Sequence, residues 1–164
     1  MIEEIILQFD LLGAFICKEI EKGQTKNRVI PEKTGKKALS FLQYLIVNHA
    51  RNISSEELIE QFWSGKGSSD PANALKNMLF KTRNLLKNMY PEQKNLILTL
   101  QGCYAWNPDV QVRLDTEEFE QACLKARKQT GKEYLDTLLR AVDLYRGDFL
   151  SGNDSDWAVS LRRY

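Results

Sequence analysis

The chain has 164 residues, with 23 Lys/Arg against 22 Asp/Glu, one His and three Cys. Its 43% hydrophobic and 27% charged content, with no Pro-rich or Gly/Ser-rich tract, fits a globular protein that buries a core in one domain or two small ones. No apolar run nears the ~20 residues that span a bilayer, the Met-Ile-Glu-Glu start is no secretory signal, and the dispersed Cys17, Cys103 and Cys123 favour reduced thiols in a cytoplasm over a disulfide framework or metal cluster.

The first thirty residues read as strands. Ile5–Phe9 and Ala14–Ile20 are rich in β-formers, with Gly13 between them. A polar turn over Glu21–Lys26 leads to a third strand at Arg28-Val29-Ile30, which Pro31 ends. The expected product is a small antiparallel sheet with one face buried.

From Thr34 to about His49 the spacing turns helical, with Ala38, Phe41, Leu42, Leu45 and Ile46 on one face. His49 reads as the residue that closes this helix. Ser54-Ser55-Glu56-Glu57 has capping-box spacing, in which Ser54 accepts from the first turn and Glu57 reaches back. Leu58, Ile59, Phe62 and Trp63 give the second helix its apolar stripe. Ser64–Ser69 is a Gly/Ser loop, and Asp70-Pro71 restarts a helix with Asp as N-cap and Pro at the first position.

In this third helix Leu75, Met78, Leu79, Thr82, Leu85, Leu86 and Met89 fall on one side. The other side holds Asn73, Lys76, Asn77, Phe80, Asn84 and Lys87, with Lys81 and Arg83 at its flanks. A polar face is by default only solvated. Here it carries Asn, a poor helix former, at three positions, and an aromatic near its centre. Two short helices with the second polar and basic are the sequence form of a helix-turn-helix.

Asn95–Leu100 and Cys103–Trp106, separated by Gln101-Gly102, make a hairpin, and a hairpin after a recognition helix is a wing. Asp115-Thr116-Glu117-Glu118 is another capping-box start, with Phe119, Ala122, Cys123 and Ala126 at core spacing. A second helix from about Lys132 to Arg146 is expected to place Leu135, Leu138, Leu139, Val142 and Tyr145 inside, forming an αα-hairpin of repeat type. Trp157–Tyr164 begins a third helix and stops, as in a piece of a longer protein.

The near-zero net charge hides an asymmetry. Up to Pro108 there are 14 Lys/Arg against 11 Asp/Glu, and from Asp109 onward 9 against 11. Between Lys33 and Lys94, 10 cations face 5 anions, which concentrates positive charge over the helix-turn-helix.

The order of parts resembles the SARP-type transcriptional activators, in which an OmpR/PhoB-like winged helix precedes a bacterial transcriptional activation domain. The matching segments are Leu11-Leu12-Gly13, Gly35–Leu39, Ile53–Ile59 through Phe62-Trp63, Ala74–Asn77 through Arg83–Leu86, and Cys103-Tyr104. Further on they are Leu114-Asp115 before Phe119, Ala141–Leu150 and Trp157-Ala158. The chain departs from the family at Cys103, commonly Gly, and at Ala105, often basic, so the third helix is expected to carry more of the recognition than the wing. The resemblance implies an α+β fold, a winged helix-turn-helix with N-terminal antiparallel sheet and C-terminal hairpin wing, followed by an all-α, TPR-like helical-hairpin segment. The DNA-binding domain would cover residues 1–108, and the start of the activation domain residues 109–164.

These readings converge on a sequence-specific, double-stranded DNA-binding transcriptional regulator, an activator by resemblance. Asn73, Lys76, Asn77, Phe80 and Asn84 are assigned to bases in the major groove. Lys81, Arg83, Lys87, Lys36, Lys37 and Lys66 are assigned to phosphates. Asn suits adenine and Arg guanine, which leans the site towards mixed or A·T sequence. The expected partners are double-stranded DNA, RNA polymerase by resemblance, and a second copy on the same duplex, with no membrane and no cofactor. The alternative is a winged helix used for protein–protein contact without DNA. An enzyme is disfavoured, because the chain has no nucleophile–base arrangement, phosphate loop or spaced metal ligands.

Overall fold

The computed structural model describes residues 4–163 except Lys66 and Ser68. Lys66, assigned to phosphate by sequence, therefore lies outside the described residues. By Cα proximity the chain divides into two compact units, one of Arg28–Val110 and one of residues up to Asn27 together with those from Gln111 onward. Among the described residues the architecture is mixed α/β with six helices. Among the described residues, no helix is long and apolar enough to cross a membrane.

The discontinuous unit is built on a four-stranded sheet, β1 (Ile6–Asp10), β2 (Ile16–Glu21), β3 (Gln24–Arg28) and β7 (Gln111–Leu114), in the order β3-β2-β1-β7. β1 and β2 pair antiparallel with Phe9 opposite Cys17, and the alternating residues Leu7, Phe9, Cys17 and Glu19 are buried. Two expectations change here. The third strand is not Arg28–Ile30 but the polar Gln24–Arg28. Lys22 and Gly23 both take positive φ, at 52° and 75°, the condition for a two-residue hairpin turn, and this starts the return strand at once. The sheet is also mixed rather than antiparallel, because β7 pairs parallel to β1 with Phe9 opposite Leu114.

β7 runs directly into α4 (Asp115–Ala126), which packs against α5 (Gly131–Leu144), and α6 (Asp156–Arg162) follows. Asp115 does not cap α4 as its spacing predicts. It is buried, and its carboxylate accepts from the backbone N–H groups of Leu11 at 2.7 Å and Leu12 at 3.0 Å. Gly13, at φ +94°, lies so close to Arg146 that a Cβ would stand 3.2 Å from its carbonyl carbon. Gly13 N–H also donates to the Asp148 carbonyl at 3.0 Å. The Leu11-Leu12-Gly13 and Arg146-Gly147-Asp148 segments noted in the sequence are thus two sides of one backbone contact that only glycine permits. Arg162 ties the last turn down by donating to the carbonyls of Phe149, Leu150 and Asn153.

The expected interior of α5 holds only in part. Leu138 is half-buried and Tyr145, though exposed, meets Phe119 of α4 at a ring-centroid distance of 5.9 Å, but Leu135, Leu139 and Val142 are exposed and Ala141 is the buried position. The helix is amphipathic as read. Within its unit α5 packs on α4, and Asp136, Thr137 and Arg140 line a groove with Glu118, Gln121 and Lys125 of α4.

The other unit holds α1 (Lys36–Val47), β4 (Ile53–Ser54), α2 (Ser55–Trp63), α3 (Pro71–Met89), β5 (Ile97–Leu100) and β6 (Cys103–Trp106). Its strands form a sheet in the order β4-β6-β5, with β5 and β6 as the expected hairpin and Gly102 at its turn with φ +70°. Phe41 and Tyr44 of α1 meet Phe62 of α2 edge-on, at ring-centroid distances of 5.2 and 5.5 Å. Trp106 locks the hairpin to α1 by donating its indole N–H to the Leu45 carbonyl at 2.8 Å.

Ser54 caps α2 as expected, accepting from the Glu57 N–H at 3.1 Å. The reciprocal half of the capping box is absent, because the Glu57 carboxylate turns instead to Tyr44 and Arg51. It accepts from the Tyr44 hydroxyl at 2.6 Å and from both terminal nitrogens of Arg51. The Arg51 bonds hold Glu57 below the usual carboxylate range. Burial, and then the Glu57 bond, push the Tyr44 phenol up to about 12.

Candidate nucleic-acid interface

The side chains in question are aligned by α3. Asp70 accepts from the Asn73 N–H at 3.1 Å and Pro71 occupies the first turn, so the helix starts where the sequence places it. Leu75, Leu79, Thr82, Leu86 and Met89 are buried on its inner side, against α1 and α2. Each buried Leu contributes roughly 1.5–3 kcal/mol, which fixes the rotation of the helix about its axis. The opposite face is thereby turned to solvent. At 1.5 Å per residue it extends about 21 Å from Asn73 to Lys87, well over half a turn of B-DNA.

That face has an ordered pattern. At 100° per residue, Asn73, Asn77, Phe80 and Asn84 form a central line, with Lys76 and Lys87 along one edge and Lys81 along the other. All seven are exposed. Phe80 retains 67% of its accessible surface, in the middle of the line. Asn88 is exposed on the Lys81 edge and was missed, although its spacing from Asn77, Lys81 and Asn84 signals it. The helix carries four cations and no carboxylate in 19 residues.

Arg83, assigned to a phosphate by sequence, is engaged within the fold. Its Nε and Nη2 donate to the Ile97 carbonyl at 3.2 and 3.1 Å, and Nη2 also donates to the Thr99 hydroxyl at 2.7 Å. The side chain is half-buried and joins α3 to β5. Beside it lies a groove of about 360 Å³ whose lining includes Arg83, Lys87, Gln93, Lys94 and Asn95, with no carboxylate. Lys94 is a second residue that the sequence reading passed over. Its signal was its place at the end of the cation-rich stretch, without helix or motif to mark it.

Lys36 is exposed at the start of α1. Lys37, next to it, places its ammonium 4.6 Å from the centre of the Trp63 ring, a cation–π contact that holds an exposed positive charge near the α2 C-terminus. The three cysteines are free thiols, Cys17 buried and Cys103 and Cys123 half-buried.

In a comparison with solved structures, the chain matches Mycobacterium tuberculosis EmbR in a complex with a low-affinity phosphopeptide. The TM-score is 0.70 at 19% identity, over 98% of this chain and 41% of that one. The likeness is one of fold, and this chain spans less than half the length of EmbR. No family model matches the sequence, and no curated protein matches it either.

Proposed function

We propose that the chain is a sequence-specific, double-stranded DNA-binding transcriptional regulator of the SARP type, acting as an activator in the cytoplasm. The fold shared with EmbR supports a regulator of this class. In this reading residues 1–108 supply a winged-helix DNA-binding domain whose wing is the β5–β6 hairpin. Residues 109–164 supply the start of a TPR-like activation segment, which by resemblance addresses RNA polymerase.

The observation that carries the proposal is the outer face of α3, an Asn-Asn-Phe-Asn line between lysine edges without an acid in the helix. Asn side chains pair with adenine edges, and Phe80 lies against a thymine methyl or a sugar. Lys76 stands with the base-facing set. Lys81, Lys87 and Lys36, with Lys37, Lys66 and Lys94, hold phosphates, which set position without reading sequence. Arg83 serves at one remove, by fixing the hairpin relative to the reading helix.

A second reading, a protein-contact surface on the same face, draws on the exposure of Phe80. Selection of bound duplexes from a random pool separates the two. DNA reading requires a recovered motif that is lost in the triple variant Lys76→Ala, Lys81→Ala, Lys87→Ala. A pool that yields no enriched motif sinks the proposal.

A further inference from the structure

We infer that the groove between the C-terminal half of α3 and β5 binds a small phosphate monoester, a molecule of nucleotide size with a doubly charged phosphate. The inference does not rest on DNA binding. The groove has a volume of about 360 Å³, within the range of small-ligand sites, and it is built inside one unit. Arg83 and Lys87 line it from successive turns of α3, and Lys94 lines it from the segment that leads to β5. Neither lysine is paired among the described residues. Nη1 of Arg83 makes no bond among them either, since the fork to Ile97 and Thr99 uses only Nε and Nη2. Glu92, the one acid between Arg83 and Ile97, does not line the groove and pairs with neither lysine.

The lining selects the occupant. Three cations with no acid among them favour a monoester phosphate, which carries close to two charges at pH 7, over a diester, which carries one. Asn84, Gln93 and Asn95 line the same groove, and their side-chain amides make no bond among the described residues. They are donors and acceptors for sugar hydroxyls or a base edge. Leu86 and Leu96, both buried, add an apolar lining for the organic part of the ligand. The walls are fixed before a ligand arrives. Arg83 is held by its fork, and Asn107 holds the other side. Its Nδ2 donates to the Asn95 carbonyl at 3.1 Å and its backbone N–H to the Leu96 carbonyl at 2.8 Å. Walls fixed in this way lower the ordering cost of binding. Lys87 and Lys94 meet the DNA backbone in the proposed function, so on that reading ligand and duplex compete for one groove.

Titration of the chain with AMP, without DNA and followed by backbone amide shifts in two-dimensional NMR, tests this. Saturable shifts should centre on Asn84–Lys87 and Gln93–Ile97, with Kd on the order of 0.1–1 mM. Cyclic AMP keeps the base and sugar, but its diester carries one charge, and it should bind at least about tenfold more weakly. Lys87→Ala with Lys94→Ala should abolish the saturable shifts. Circular dichroism and melting of that variant should match the parent, since both positions are exposed. Lys128→Ala, in the other unit, should leave the AMP shifts unchanged. Absence of saturation up to about 10 mM AMP, as expected if the groove serves the DNA backbone alone, overturns the inference. So does cyclic AMP binding as tightly as AMP, or shifts that survive the double variant.

Discussion

Arg83 and Ile97 are joined by a forked hydrogen bond, in which one guanidinium edge grips a single carbonyl from two nitrogens. The bond fixes the first hairpin strand to the flank of α3. Arg83→Ala should therefore destabilise the Arg28–Val110 unit by about 1–2 kcal/mol, measured by denaturant unfolding. Arg83→Lys should not rescue it, because a single ammonium cannot reproduce the fork. In DNA titrations well below the melting temperature, Arg83→Ala should leave the salt slope unchanged. Lys87→Ala should reduce it by about one unit.

Phe80 is exposed, so its removal costs the fold little. Phe80→Ala should change stability by less than about 0.5 kcal/mol. It should weaken DNA binding by roughly tenfold at sites with thymine opposite the centre of α3, and less where uracil removes the methyl. Equal losses on both duplexes would assign Phe80 to the backbone or to a protein partner. Fluorescence anisotropy with matched thymine and uracil duplexes reads the difference.

Asp10 is a buried carboxylate bonded to Lys18 at 2.7 Å, Arg146 at 3.0 Å and Gln8 at 3.1 Å. Burial pushes its carboxyl up, but the Lys18 and Gln8 bonds and the two cations outweigh this and hold it below 3.8. Its contribution to stability is thus fully present above about pH 4 and is lost as pH falls through the lowered folded value. Asp10→Asn should be less stable than the parent at pH 7 by about 2–4 kcal/mol, and the gap should narrow on acidification below pH 4. A gap constant with pH would contradict the account.

Asp115 shows the opposite balance. Burial raises its carboxyl, and the N–H donors of Leu11 and Leu12 only partly pull it back. Its own titration therefore works against the fold as pH rises from 3.8 through the raised value. Asp115→Asn removes the charge but sets an NH₂ group against one of the two backbone donors. The loss of one acceptor should cost about 2–3 kcal/mol in thermal or urea unfolding at pH 7. Stabilisation by Asn would show that desolvation of the charge outweighs its hydrogen bonds.

The helices were legible because their signals are local. The Asp70-Pro71 start and the Leu75–Met89 stripe together set both the length and the rotation of α3. What went unread depends on distant partners. β7 is four residues that become a strand only beside β1, about a hundred positions earlier. β3 is polar because it is a sheet edge, so the apolar Val29-Ile30 drew the strand away from its true place. Glu57 and Asp115 sit at capping spacing, yet their carboxylates serve Arg51 with Tyr44, and the Leu11–Leu12 backbone. Spacing alone cannot tell these uses apart. At the candidate site, the outward face of α3 followed from its periodicity. The bond that ties Arg83 to the Ile97 carbonyl did not, because it depends on where the hairpin returns.

In the proposed function the lysine-edged asparagine face of α3 lies along a DNA duplex. Its most direct test is the affinity of the chain for its selected duplex, followed by anisotropy from about 50 to 300 mM salt. With the six assigned phosphates neutralised, log K should fall against log salt with a slope of about −5 to −5.5. The slope should flatten by about two units when Lys81 and Lys87 are both replaced by Ala. Affinity that ignores salt, or a slope that the double variant leaves intact, would contradict the assignment.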